Sequence, residues 1–419
     1  MVLRRFSVVG IAQSIIIDEE VCSMERRNFL KLAAGSAALV ATGRAFAQTD
    51  NANGVISAFQ PLTVQGTVLP TRGRVTGTAL PLNAPATKDI RYRTPFRFGM
   101  GGTQIGNIFA PISDELAHST LQAAWDGGVR YYDTSPFYGH GLSEHRLGRF
   151  LRDKPRDQYL VSTKVGRIFH PSRTPLPDSL WADKLNFSYE YDYTAAGARR
   201  SVEDSLQRLG LSSIDIVYIH DLSPDNTELP TPWTTSFEIA RNGAMAELER
   251  MRSEGLIKAW GFGINRADAA VMAAALDKGL TPDIVLLACQ YSIIDHQETL
   301  TKTFPALAKK GITVTVGTPL NDGFLGGRNR YHFSNDLPPG VVEKRARLAT
   351  IADRHGIDIR TAALQFAAAP PIVSAIIPGA RAPGQVEANI QSMKVSIPKG
   401  FWDELREQKL IAADAPIPT

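Results

Sequence analysis

From about residue 96 onward the apolar and polar positions follow two alternating periods. Short apolar runs rich in β-branched and aromatic residues occupy 96–99, 129–133, 159–164, 214–220, 258–263, 284–289, 312–316 and 373–377. They have strand length and are bounded by glycine, proline or polar residues. Between them, at 113–125, 143–151, 195–209, 240–252, 267–276, 297–308, 341–355 and 383–393, apolar residues recur every three or four positions, the spacing that gives a helix one buried face. Ser113 and Ser143 stand where N-caps are wanted, each with an early acid. Gly127, Gly128, Gly210 and Gly255 fall just past helix ends, where a left-handed residue closes the last turn. Eight strands, each followed by a helix, predict a parallel α/β fold. Eight such units over about 300 residues suit a closed (β/α)8 barrel, with an open doubly wound sheet as the alternative.

Two connections exceed ordinary loop length. Residues 166–194 follow the third strand and carry Phe169, His170, Trp181, Phe187, Tyr189, Tyr191 and Tyr193; residues 221–239 follow the fourth. Both leave the C-terminal face of the expected barrel, where such folds build their sites. Residues 48–92, rich in Thr, Pro, Gly, Asn and Ala without a period, read as a tether or wrapping segment, and the barrel is expected over 93–412.

Residues 1–47 read as an address rather than as fold. Met24-Glu25-Arg26-Arg27-Asn28-Phe29-Leu30-Lys31 resembles a twin-arginine export motif. A weakly apolar stretch and Ala45-Phe46-Ala47, a small-x-small cleavage site, follow it. The mature chain then begins near Gln48, with Met24 a plausible alternative start. The expected partner is the twin-arginine export machinery and the expected location is periplasmic or otherwise exported. Removal of that segment leaves Cys289 alone, so the mature protein has to be stable through its core without an internal disulfide. Arg4, Arg5, Arg26, Arg27, Lys31 and Arg44 against Asp18, Glu19, Glu20 and Glu25 place +2 of the net charge of +4 in this segment. The remainder is too little and too dispersed to argue for nucleic acid. No apolar run in the body of the chain is long enough for a stable membrane span.

Polar residues recur at the strand ends. Asp133 closes strand two with Tyr138 just beyond it, Lys164 closes strand three, His220 closes strand four, Asn265 follows strand five and Gln290 ends strand six. Singly, each fits a structural part such as a turn cap, a satisfied core histidine, a surface lysine or a rim aromatic. Together they form a ring around one barrel mouth. A lysine after Tyr159-Leu160-Val161 requires an anionic partner, and Asp133 is the obvious one. A phenol is a weak acid at neutral pH, and an ammonium beside it lowers its pKa. Tyr138 is therefore expected to exchange a proton, Lys164 and Asp133 to tune it, and His220 to hydrogen-bond the reacting oxygen. This is acid/base assistance for a carbonyl becoming an alcohol or the reverse, and it needs a hydride source.

Arg130-Tyr131-Tyr132-Asp133-Thr134-Ser135-Pro136-Phe137-Tyr138-Gly139, Leu142-Ser143-Glu144 with Leu147-Gly148, Ser162-Thr163-Lys164 and Tyr218-Ile219-His220-Asp221 resemble the aldo-keto reductase family. The likeness is greatest to its branch of aldose (fucose-type) 1-dehydrogenases and pyridoxal 4-dehydrogenases. The resemblance maps the family's catalytic Asp, Tyr, Lys and His onto Asp133, Tyr138, Lys164 and His220. It implies NAD or NADP extended across the barrel mouth and a small carbonyl or sugar-like substrate. By the same resemblance, Asn265 and Gln290 meet the nicotinamide. Thr318, Pro319, Leu320, Asn321 and Gly323 meet the pyrophosphate, and Pro378, Gly379, Ala380, Arg381, Gln385 and Asn389 meet the adenosine end. Phe169, Trp181 and Phe187 are expected to wall the substrate pocket.

Two departures stand out. Val316-Gly317-Thr318-Pro319 offers no aromatic to stack on the nicotinamide. Gly379 and Gln385 stand where relatives that use NADP often place Lys and Arg, which leans the expectation to NAD, with Arg381 a possible substitute. A glycine fingerprint begun by Gly99 and Gly101 fails at Gln104, which removes the main support for an open Rossmann sheet. The alternative to an oxidoreductase is a barrel that binds the cofactor but serves as a regulatory or partner-binding subunit.

Overall fold

The computed structural model describes residues 63–64, 67–68, 71–276 and 278–418; the expected export signal at 1–47 lies outside them. Eight parallel strands form one sheet: β1 (Met100–Gly101), β2 (Tyr131–Asp133), β3 (Leu160–Val165), β4 (Ile216–His220), β5 (Ala259–Ile264), β6 (Ile284–Leu287), β7 (Thr313–Gly317) and β8 (Val373–Ile377). Phe98 pairs with Ile376 and Gly101 with Gly379, both in parallel, so the sheet closes into the expected (β/α)8 barrel.

Strand alternation decides which side chains enter the barrel. Tyr131, Leu160, Ile216, Tyr218, Ala259, Ile284, Leu286, Ala375 and Ile377 form the inner cluster. Tyr132, Val161, Val217, Ile219 and Trp260, at the intervening positions, pack outward in the main core beneath the helices. Two residues on from Tyr131 is Asp133, two and four on from Leu160 are Ser162 and Lys164, and two on from Tyr218 is His220. The parity that fills the barrel with apolar side chains thus delivers these polar ones to its mouth.

Several elements differ from the sequence expectation. The helix expected over 240–252 is two helices, Trp233–Asn242 and Ala244–Ser253. They break at Gly243, where a Cβ would stand 2.8 Å from the Tyr193 carbonyl oxygen, so the chain bends to pass the start of helix Ala195–Leu209. The helix over 297–308 opens with a π-helical turn, Thr299–Thr303, before Phe304–Ala308. Helix Ile359–Ala368 was not expected: all ten of its residues are buried, so no apolar stripe marks it. The long connection after β3 contains an antiparallel hairpin, Arg167–Pro171 paired with Phe187–Tyr191.

The described part of the N-terminal segment wraps the closed end of the barrel. Arg74–Val75 pairs with Val395–Ser396, Asn83 Nδ2 donates to the Ser374 carbonyl at 2.6 Å, and the Thr313 hydroxyl donates to the Tyr92 carbonyl at 2.7 Å. Among the described residues no helix is long and apolar enough to cross a membrane.

Candidate active site

Asp133 and Lys164 meet at the end of β2 and β3, both almost wholly buried. Lys164 Nζ donates to Asp133 Oδ1 and Oδ2 at 3.0 and 2.8 Å and to the Thr134 carbonyl at 2.8 Å. The Ser162 hydroxyl donates to Asp133 Oδ1 at 2.6 Å. Burial pushes the carboxyl pKa up and the ammonium pKa down, and each charge is held against that pressure by the other.

Tyr138 and His220 stand beside this pair, their rings 5.9 Å apart. Lys164 Nζ lies 4.7 Å from the centre of the Tyr138 ring, so the ammonium faces the ring while Asp133 offsets its charge. The expected lowering of the Tyr138 pKa by Lys164 is therefore corrected: burial, then Asp133 and Asp221, raise it well above 10.0 against the pull of Arg167. The phenol keeps its proton. Burial, with Arg167 and Lys164, holds His220 well below 6.5, so its imidazole is neutral at pH 7.

All four line a cleft of about 530 Å³. Asn265, Thr318, Pro319, Leu320, Gly323, Pro378, Gly379, Arg381, Gln385, Asn389 and Trp181 line it as well. Five expected residues do not. Gln290 lies beyond the turn made by Cys289 (φ 60), and Ala288 takes the lining position. Asn321 is buried beneath the wall, its amide toward His332 Nε2 at 3.3 Å, and its neighbour Asp322 faces the cleft instead. Ala380 is buried between the lining residues Gly379 and Arg381. Phe169 packs on His140 and Tyr189, behind the wall, and Phe187 is exposed. Trp181 alone of the three expected aromatics forms the wall, its ring 5.4 Å from that of Tyr138; Phe109, Phe137, Leu180 and Phe333 complete it.

Sequence reasoning also missed Arg167, a buried guanidinium in contact with Asp221 and His220. An arginine directly after Gly166, heading an aromatic-rich loop three residues from Lys164, was the available signal.

A family model for the aldo/keto reductase family matches residues 97–409. The chain belongs to the aldo/keto reductase family. It is 35% identical over 323 residues to D-threo-aldose 1-dehydrogenase of a Pseudomonas species, covering 75% of this chain and 94% of the relative. It is 35% identical over 333 residues to pyridoxal 4-dehydrogenase of Microbacterium luteolum, with the same coverage of 75% and 94%. Among solved structures, an aldo-keto reductase from Bacillus halodurans in its holo form aligns with a TM-score of 0.57 at 21% identity, over 82% of this chain and 98% of that one. This aldo/keto reductase is accordingly an NAD(P)-dependent oxidoreductase that interconverts carbonyls and alcohols.

The donor set of the cleft fits the dinucleotide. Arg328, Arg330, Arg360 and Arg381 line the cleft together with Thr318 and Gly323, and Asp322 is the acid among them, which suits a pyrophosphate. Asp133, Tyr138, Lys164 and His220 line the same continuous cleft, so a cofactor phosphorylated in its middle can bring its nicotinamide to the tetrad.

Proposed function

We propose that this reductase acts on an uncharged, ring-shaped carbonyl or lactol compound, with Tyr138 as the group that gives a proton to the reacting oxygen or takes one from it. One observation carries the reading. Among the described residues nothing hydrogen-bonds the Tyr138 hydroxyl, although it lines the cleft between Lys164 and His220, which leaves its donor for a substrate. A bound nicotinamide would supply the hydride for the carbonyl carbon, and in reduction Tyr138 gives the proton to the oxygen. Lys164 and Asp133 keep a fixed ion pair beneath the phenol, and His220 offers a neutral hydrogen bond to the same oxygen.

The substrate class follows from the walls. Trp181, Phe137 and Leu180 give the cleft an apolar, largely aromatic side, and Asp221, Ser223, Asp225, Asn226 and Glu228 line the same cleft. Such a wall accepts hydroxyl groups and disfavours anions, so a free sugar or a pyridoxal-like ring suits it better than a phosphorylated one. The names of the two relatives agree with that class. NAD is favoured over NADP: no lysine stands among the residues around Gln385 that line the cleft, and Arg381 already donates to the Gln104 side chain at 3.1 Å and to the Ile108 carbonyl at 2.9 Å. The twin-arginine resemblance of 24–31 supports work outside the cytoplasm, with the cofactor carried through export.

Tyr138→Phe tests the chemistry. A phenylalanine keeps the packing on Trp181 and removes the proton, so kcat on an aldehyde and lactol panel should fall by about 10²- to 10⁴-fold, while nucleotide affinity by fluorescence titration holds. Turnover within a few-fold of the unaltered protein on every substrate would overturn the proposal.

A further inference from the structure

Arg167 is a buried charge in the site to which the reaction has assigned no part. β3 ends at Val165, and Gly166, at φ +115 with a Cβ position only 2.5 Å from the Tyr193 ring, turns the chain into the hairpin so that Arg167 re-enters the cleft. The guanidinium is 4 % exposed. Its Nη1 lies 2.8 Å from Asp221 Oδ2 and 3.4 Å from His220 Nδ1, and its Nη2 donates to the Tyr191 hydroxyl at 2.8 Å. The group is sandwiched by aromatic faces, 4.0 Å from the centre of Phe137 and 4.6 Å from that of Tyr191.

The chemistry of the donors decides the state of His220. A guanidinium only donates, so the His220 Nδ1 that faces it must present a lone pair. The Ser135 hydroxyl lies 3.1 Å from the same nitrogen and accepts from the Phe137 N–H at 3.1 Å, so its own hydrogen is free to turn to the Nδ1 lone pair that the guanidinium requires. With Nδ1 accepting, the single hydrogen of a neutral imidazole sits on Nε2. Of the other charged groups facing the ring, Lys164 from β3 opposes a further proton. Asp221, the residue directly after β4, favours it, with Oδ1 3.5 Å from Nε2, and Arg167 neutralises Asp221 from its other oxygen.

We infer that Arg167 is a positioning residue that locks His220 as the neutral Nε2–H tautomer, so that the reacting oxygen meets a hydrogen-bond donor there rather than a cation. The inference rests on the reading of His220 as a partner of that oxygen. The tautomer makes reduction independent of histidine ionisation: Tyr138 alone changes its proton, and His220 keeps its own through the cycle.

Nitrogen-15 NMR of the histidine rings in the full chain tests it directly, with the His220 signals assigned by their loss in His220→Gln. In the unaltered protein His220 should show a protonated Nε2, a lone pair on Nδ1 and no titration between pH 5.5 and 8, limits that bracket the ordinary histidine value of about 6.5. Arg167→Gln should let His220 titrate inside that window and give kcat/KM an acidic limb that the unaltered enzyme lacks; Arg167→Lys, which keeps a charged donor, should move both back toward the original. A proton on Nδ1 at pH 7, or an imidazolium there, overturns the inference without any variant. So does an Arg167→Gln protein, folded by circular dichroism, whose His220 still fails to titrate. Because the tautomer is read without turnover, a failure here is distinct from an active Tyr138→Phe enzyme.

Discussion

Asp322 sits on the cleft wall with φ 60, directly before Gly323 at φ 90. Its Oδ2 is buried, has no hydrogen-bond partner among the described residues, and lies 3.9 Å from Arg330 Nε. Burial raises its pKa from 3.8 to about 7, with Arg330, the Phe333 N–H, Arg328 and Arg381 pulling the other way. The folded protein therefore binds this proton more tightly than the unfolded chain. The stabilisation it brings is complete below pH 3.8 and is lost as pH rises through about 7. Urea unfolding between pH 5 and 8 should show stability falling toward the alkaline side, and Asp322→Asn should flatten that slope. An unchanged slope would remove Asp322 from the account. The family resemblance placed Asn321 at this point of the wall, and Asn-Asp-Gly marks a turn without saying which residue faces inward. Three consecutive residues at positive φ, Asn321, Asp322 and Gly323, set that, and they have no period. Asp133, Lys164 and His220 were legible for the opposite reason: a strand alternates strictly, so inward apolar neighbours at Tyr131, Leu160 and Tyr218 identify the inward polar ones.

Two of the elements that escaped the sequence have a burial without direction. Helix Ile359–Ala368 is covered on every face, and hairpin Arg167–Pro171 with Phe187–Tyr191 is held by aromatic packing around Arg167 rather than by an apolar alternation. The C-terminal residues are tied down by another local device. His296, buried after β6, has Nδ1 3.1 Å from the Ser292 carbonyl, and its Nε2 accepts from the Ala412 N–H at 3.0 Å. Both contacts suit a neutral ring with its proton on Nδ1. Burial, with Lys344 adding to it, lowers the pKa to about 4. For a histidine depressed in the folded state, the contribution to stability is present above the unfolded value of about 6.5. It is lost as pH falls through about 4. Hydrogen exchange at 410–415, corrected for intrinsic rates, should therefore accelerate on going from pH 7 to pH 4.5 more than exchange in β4 or β5. Equal acceleration in both would show that His296 does not hold the C-terminal segment.

At the scale of the whole molecule, the start of the described chain is fastened to its end. Arg72 N–H donates to Asp358 at 2.9 Å, and the Arg72 guanidinium pairs with Asp353. Arg74–Val75 pairs with Val395–Ser396, and the barrel itself closes β1 against β8. Contacts this distant in sequence form only when synthesis is nearly complete, which makes folding slow and late. A chain of this kind, with Cys289 as its single thiol after residue 48 and that thiol buried, gains nothing from an oxidising compartment while it folds. The export proposed above would then carry a barrel already folded beside its cofactor, the route that Arg26-Arg27 in the resembling motif would specify. Arg26→Lys with Arg27→Lys leaves the barrel untouched and removes the paired guanidinium groups. Cell fractionation should then find the unaltered protein outside the cytoplasm in its shortened form and the double variant inside at full length. Both should release equal amounts of nicotinamide nucleotide on denaturation. If the double variant is exported as efficiently as the original, or if the exported protein is free of nucleotide with weak affinity for it, the proposal of folded, cofactor-loaded export fails while the assignment of the barrel chemistry to Tyr138 stands.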